Sequence, residues 1–72
     1  MADLALAALR EARGATQVEL AESIGVSQPN VSRIEHQDDV YLSTLRSYIE
    51  ALGGRLELHA VFDDETIVLP AG

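Results

Sequence analysis

The stretch TQVELAESIGVSQPNVSRIE, Thr16 to Glu35, carries two short amphipathic patterns on either side of a Gly-Val-Ser joint. Val18, Leu20, Ala21 and Ile24 recur at helical spacing, and Val31 and Ile34 make a second, shorter stripe. Gly25 sits between them, where a residue without Cβ takes a positive φ at no steric cost and lets the chain reverse within three or four residues. Small Ala21 leaves room for close approach. The pattern predicts two helices crossing steeply about a tight turn.

The ends of both helices are written into the same stretch. Thr16-Gln17-Val18-Glu19 is a capping box, in which the Thr16 hydroxyl takes the Glu19 amide and the Glu19 carboxylate returns to the Thr16 amide. Ser27 caps the second helix, and Pro29 falls in its first turn, where a missing N–H costs nothing. With Val31 and Ile34 facing inward, Gln28, Asn30, Ser32 and Arg33 are left to point mostly outward. Those side chains suit base edges: Gln and Asn pair with adenine N6/N7, Arg pairs with guanine O6/N7, and Pro29 offers apolar contact to a thymine methyl. Gln17, beside the free amides of the first helix N-terminus, suits a phosphate. A helical hairpin without ligand would explain the apolar positions but not this polar set.

The stretch resembles the Cro/C1-type (XRE family) helix-turn-helix of bacterial and phage repressors. The resemblance rests on the opening Gln17, small Ala21, turn Gly25 and the spaced apolar Leu20, Ile24, Val26, Val31 and Ile34. It implies that the helix after Ser27 enters the DNA major groove, with Gln28, Pro29, Asn30 and Arg33 at the reading face, Ser32 on base or phosphate, and Ser27 among the DNA-binding residues. It also implies that Arg10 pairs with Glu35, locking the first helix across the motif. One departure is Gln37, which stands about where many members close the recognition helix with glycine.

Outward from the motif, Asp3 to Arg13 (DLALAALREAR) is rich in strong helix formers, with Asp3 as cap and Gly14 as a left-handed stop. Leu6, Leu9 and Arg13, or Leu9 and Ala12, recur at helical spacing. HQDDVYL, His36 to Leu42, reads as a loop, with His36 as ordinary surface. Ser43 is expected to cap a fourth helix whose Leu45, Tyr48, Ile49 and Leu52 close the core, with Gly53-Gly54 ending it. Arg46, in its first turn and on the opposite side, is a further phosphate candidate, in line with the resembled family.

Beyond the double glycine the period changes from helical to alternating. RLELHAVF puts Leu56, Leu58, Ala60 and Phe62 on one face, Asp63-Asp64-Glu65 makes a turn, and TIVLP supplies a second strand. The fold class is thus mainly α: a four-helix Cro/C1-type domain over residues 1–54 and a short β-hairpin over residues 55–72. A two-stranded hairpin alone is marginal and leaves open edges. Pairing of Leu56, Leu58, Phe62, Ile67 and Leu69 with a second copy resolves this, and a homodimer would set two recognition helices about one DNA turn apart on a palindrome.

Composition narrows the function. Seventy-two residues make one small domain, without cysteine for disulfides or thiolate metal sites. No apolar run approaches the roughly 18 residues of a membrane span, and no secretory pattern opens the chain, so a cytoplasmic protein is expected. The net charge of −7 sits uneasily with DNA binding, but it is unevenly placed. Residues 1–36 hold three arginines against five carboxylates, and residues 37–72 two against seven. The acidic half is either a solubilising surface or a docking face for a basic partner.

No activated nucleophile, Gly-rich phosphate loop or metal-ligand spacing is present, so neither an enzyme nor a cofactor is expected. The combination of the motif with DDVYLSTL, EALGG and an acidic hairpin resembles the HigA-like antitoxins of type II toxin-antitoxin systems. That resemblance implies a repressor that binds double-stranded DNA and also a basic RNase-type toxin. Such antitoxins often carry a segment ahead of helix 1, and because helix 1 begins at once in this sequence a toxin-contacting arm is expected to be missing or trimmed. A plain regulator, and an interaction module with little DNA binding, remain the alternatives.

Overall fold

A computed structural model describes residues 5–70, and the expected cap Asp3 lies outside them. Four helices precede one antiparallel hairpin: α1 Leu6–Ala12, α2 Gln17–Ile24, α3 Gln28–Glu35, α4 Leu42–Ala51, β1 Leu58–Val61 and β2 Thr66–Leu69. Leu6, Leu20, Ala21, Val31, Ile34 and Tyr48 form the buried core, and Ile24, Val26, Leu45, Ile49 and Leu52 pack around it. Among the helices, the closest packing joins α2 to α3 and to α4. No helix among the described residues is long and apolar enough to cross a membrane.

The local rules of the motif hold. The Thr16 side chain accepts from the Glu19 amide at 3.1 Å, and the Glu19 carboxylate accepts from the Thr16 amide at 2.9 Å. The donation from the Thr16 amide foremost, and that from the Thr16 hydroxyl to the same carboxylate oxygen at 3.2 Å, hold the Glu19 carboxyl below its ordinary value. Gly25 closes α2 at φ 87°, and its N–H and that of Val26 both return to the Ala21 carbonyl. The turn needs glycine for that φ rather than for space, because a Cβ there would meet nothing within 4 Å. Ser27 accepts from the Asn30 amide at 3.3 Å to start α3. The helix then ends through His36 without any left-handed residue at Gln37.

Four expectations are corrected, on Val18, the inward face of α1, the Ser43 cap and the place of Arg46. Val18 is 56% exposed instead of lining the α2 stripe. Two residues of helix are about 200°, so a helix that buries Leu20 turns Val18 to solvent. In α1 the inward pair is Leu6 and Arg10, four residues apart, while Leu9 is 40% exposed. The core there is completed by an arginine that the apolar pattern could not count.

Ser43 does not cap α4. The helix begins at Leu42 with Tyr41 as N-cap and no side-chain cap bond, and the Leu45 N–H already reaches the Tyr41 carbonyl at 2.9 Å. The drive to bury Tyr48 and seat Leu45 sets the register, and a serine cap worth about 1 kcal/mol does not outweigh it. Arg46 consequently stands in the second turn of α4, not the first, and is half-buried.

The hairpin is shorter than its alternating sequence. Leu58 faces Leu69, His59 faces Val68, Ala60 faces Ile67 and Val61 faces Thr66. The Phe62 amide bonds the Glu65 carbonyl at 2.7 Å across the acidic turn. Leu58 and Ala60 are half-buried, whereas every residue of β2 is exposed.

Candidate nucleic-acid interface

The α3 helix owes its position to two kinds of contact. Val31 and Ile34 bury completely or nearly so against α2 and the rest of the core, which fixes how deep the helix sits. Its rotation is fixed by Glu35. This carboxylate has a side chain only 1% exposed and reaches every other helix. Its Oε2 accepts from Arg10 Nε of α1 at 2.7 Å and lies 2.6 Å from the Tyr48 hydroxyl of α4. Its Oε1 accepts from Gln17 Nε2 of α2 at 2.9 Å and from Arg10 Nη2 at 3.3 Å.

The electrostatics of this junction close. Burial alone would raise the Glu35 carboxyl, but the hydrogen bonds from Arg10, Tyr48 and Gln17 outweigh it and leave the group below the ordinary carboxylate value. Burial and the neighbouring carboxylate push the Tyr48 phenol upward, so it stays a donor. Arg10 spends a further N–H on the Ala15 carbonyl at 2.9 Å. No buried side-chain polar atom among the described residues lacks a partner. A buried charge pair is costly unless its remaining hydrogen-bonding capacity is filled, and here it is.

The Arg10–Glu35 pair was legible in sequence, but the parts played by Tyr48 and Gln17 were not. Tyr48 reads as one more apolar residue of the α4 face. The signal that could have found it is the phenol itself, since a fully buried tyrosine needs a partner for its hydroxyl. Gln17 reads as a free donor for phosphate, whereas its amide is already engaged on both ends: Nε2 on Glu35 and Oε1 accepting from Gln28 Nε2.

On the outward side, Ser27, Gln28, Pro29 and Arg33 are exposed, and Asn30 and Ser32 are half-buried. Arg33 Nη2 donates to Asn30 Oδ1 one turn earlier. The Ser32 carbonyl lies 2.7 Å from His36 Nδ1, so His36 ties back to its own helix. The structure thus brings Gln17, Ser27, Gln28, Pro29, Asn30 and Arg33 together along one edge of the α2–α3 pair. An open groove between α3 and the start of α4 adjoins it, lined among others by Val26, Asn30, Arg33, Tyr41 and Thr44. Arg46 is not in that lining. Asp38 and Asp39 are exposed in the connecting loop, so the surface beside the polar edge is not basic.

Comparison with known proteins agrees with this geometry. The helix-turn-helix domain family matches residues 2–61. The putative antitoxin HigA3 of Mycobacterium tuberculosis (strain ATCC 25618 / H37Rv) is 44% identical over 69 residues, covering 92% of this chain and 63% of its own. The putative antitoxin HigA2 of the same strain is 41% identical over 63 residues, covering 85% and 62%. The chain therefore spans a little over three-fifths of the length of these curated relatives.

Two solved structures match nearly end to end. One, described as induced DNA bending by unique dimerization of HigA antitoxin, has TM-score 0.86 and 42% identity, covering 96% of this chain and 93% of that one. The other, DNA-bound antitoxin HigA3, has TM-score 0.86 and 40% identity, covering 97% and 94%. On sequence and fold together, the chain belongs to the helix-turn-helix domain family and, within it, groups with the HigA-type antitoxins of Cro/C1 kind.

Proposed function

We propose that this chain is a DNA-binding, dimeric repressor acting as the antitoxin of a type II toxin-antitoxin pair and controlling its own operon through a palindromic operator. The observation that carries the reading is the α3 edge: Gln28 and Arg33 stand exposed on a helix whose depth and rotation are both fixed from behind. A reading head has to be held before it meets its ligand, because ordering it on contact would subtract from affinity. The relatives described as DNA-bound, DNA-bending and dimeric support the same reading. The activity is recognition, not catalysis.

In this proposal Gln28, Asn30 and Arg33 contact base edges in the major groove, Pro29 meets a thymine methyl, and Ser27, Ser32 and Arg46 hold phosphates. Residues 1–54 do the reading and the hairpin of residues 55–72 pairs two copies. Phe62, Ile67 and Leu69 are exposed and apolar, as a surface awaiting a second copy would be, while Leu56 and Leu58 are half-covered already. A basic RNase-type toxin is the proposed second partner, matched by the net charge of −7.

Arg33→Ala tests the base-reading assignment. It should cost about 1–3 kcal/mol at one base pair and relax discrimination there, measured by gel shift on the DNA upstream of the protein's own reading frame. Unchanged operator binding overturns the assignment. Affinity of the wild type should also fall with salt at a log–log slope near ~−0.9 per phosphate contacted, and a flat response favours a pure protein-binding module. Co-purification with the product of the adjacent reading frame tests the toxin, and its failure leaves a plain regulator.

A further inference from the structure

We infer that the hairpin is two-sided: one row of side chains is left for a second copy, and the opposite row, Val61 and Val68 beside the acidic turn, is the docking surface for the basic toxin. This rests on the toxin partner proposed above and gives it a place on the chain. It also gives a task to the acidic residues that the DNA-reading edge does not use.

The division follows from the strand register. Residues directly opposite in an antiparallel pair share a face, and successive residues along a strand alternate between faces. Leu58 and Leu69, Ala60 and Ile67 therefore lie on one side, and His59 and Val68, Val61 and Thr66 on the other. The first side has no ionisable group in its strands and includes the two half-buried residues of β1, so it can meet its own copy without burying charge. The second side has no such cover. Val61 and Val68 are the most exposed apolar residues of the two strands. They are diagonal neighbours across the pair, about 7–8 Å apart, so one large apolar side chain of a partner can reach both. Their β-branched side chains are stiff, and covering them costs little rotamer entropy.

Charge decides the occupant. Arg55 Nη2 donates to Glu57 Oε2 at 2.6 Å, and His59 Nε2 lies 3.4 Å from Glu57 Oε1. The one arginine between residues 55 and 70 is thus spent on the carboxylate nearest to it. Asp63, Asp64 and Glu65, which follow Val61 and Phe62 in the turn, form no ion pair among the described residues. A second copy stacked on this side would bring the same excess of negative charge. A basic protein instead brings the cations those three carboxylates lack, which steers its approach and fixes its register over the two valines.

The test uses the full chain and the purified product of the adjacent reading frame, with affinity and association rate read by interferometry and self-association by sedimentation. Wild type is expected to bind that product. Val61→Ser with Val68→Ser should lose affinity by roughly tenfold or more while the chain stays dimeric. Ile67→Ser, on the other side, should weaken self-association and keep the capture. Asp63→Asn with Asp64→Asn and Glu65→Gln should slow association by roughly tenfold at low salt, a difference that closes at high salt. Unchanged affinity of the valine variant overturns the docking surface and leaves the toxin partner standing. A valine variant that loses its dimer gives this side to the second copy and overturns the surface too, as does an association rate that the charge variant does not change. A wild type that fails to bind the product overturns the toxin reading itself, and the docking surface falls with it.

Discussion

The helical body and the hairpin of this chain solve the problem of small size in opposite ways. From Leu6 to Ala51 the chain buries its apolar stripe, fills its interior polar junction and, among the described residues, leaves no buried side-chain donor or acceptor without a partner. From Leu58 to Leu69 it does the reverse: Val61 is 74% exposed, Val68 59% and Ile67 42%, on both faces of a two-stranded ribbon. A 72-residue chain buries only about 60% of its unfolded surface, and here the saving is concentrated in the helices. The contrast is between a body that covers its own apolar residues and a hairpin that leaves most of its own exposed.

The sharpest way to break the contrast is to remove the charge that all four helices share. Glu35→Ala leaves Arg10 buried without its partner and the Tyr48 hydroxyl with a weaker one, and should destabilise by about 3–5 kcal/mol in chemical denaturation. A loss under about 1 kcal/mol would mean that the junction only decorates the core. The same carboxylate predicts a pH response. Its pKa is lowered on folding, so its contribution is full above the ordinary value of 4.5 and is lost as pH falls below that value through its folded pKa. Tyr48→Phe should flatten that acid limb, and an unchanged limb would assign it to other carboxylates.

Next in size is a pair within one helix. Leu20→Ala should cost roughly 2–4 kcal/mol of stability by thermal or urea unfolding, and Val18→Ala less than about 0.5, although the two positions read alike in sequence. Similar costs for both would mean that the α2 face has been placed wrongly. The smallest effect on the isolated chain belongs to the hairpin. Ile67→Ser should change the unfolding free energy of dilute monomer by no more than about 0.5 kcal/mol while weakening self-association at least tenfold in sedimentation. Deleting residues 66–72 should abolish the dimer, and a truncated chain still dimeric would move the interface elsewhere.

Much of the body was readable because its signals are local and redundant. The Thr16/Glu19 capping box, Gly25 in the turn, and Val31 and Ile34 inward all follow from residue type and spacing over fewer than ten residues. Where the reading failed, two local rules competed and packing chose between them. Ser43 is a good cap and Tyr41 is not, yet the helix starts at Leu42 because its later residues must meet the core. Val18 fits an apolar stripe by composition, but only the direction of the neighbouring helices says which side of α2 is the inside.

By itself the sequence determined the four helices, the steep turn between the second and third, the pairing of Arg10 with Glu35 through the family it resembles, and the change to strands after Gly54. These follow from short-range sterics, capping and periodicity, which act between neighbours in the chain. Only the tertiary structure decided that the Tyr48 hydroxyl and the Gln17 amide converge on Glu35 and that Gln28 is tied to Gln17. Those partners lie 11 to 18 residues apart. A polar side chain at such a distance finds its partner only after the apolar faces have fixed where each helix lies, so no local pattern could announce it.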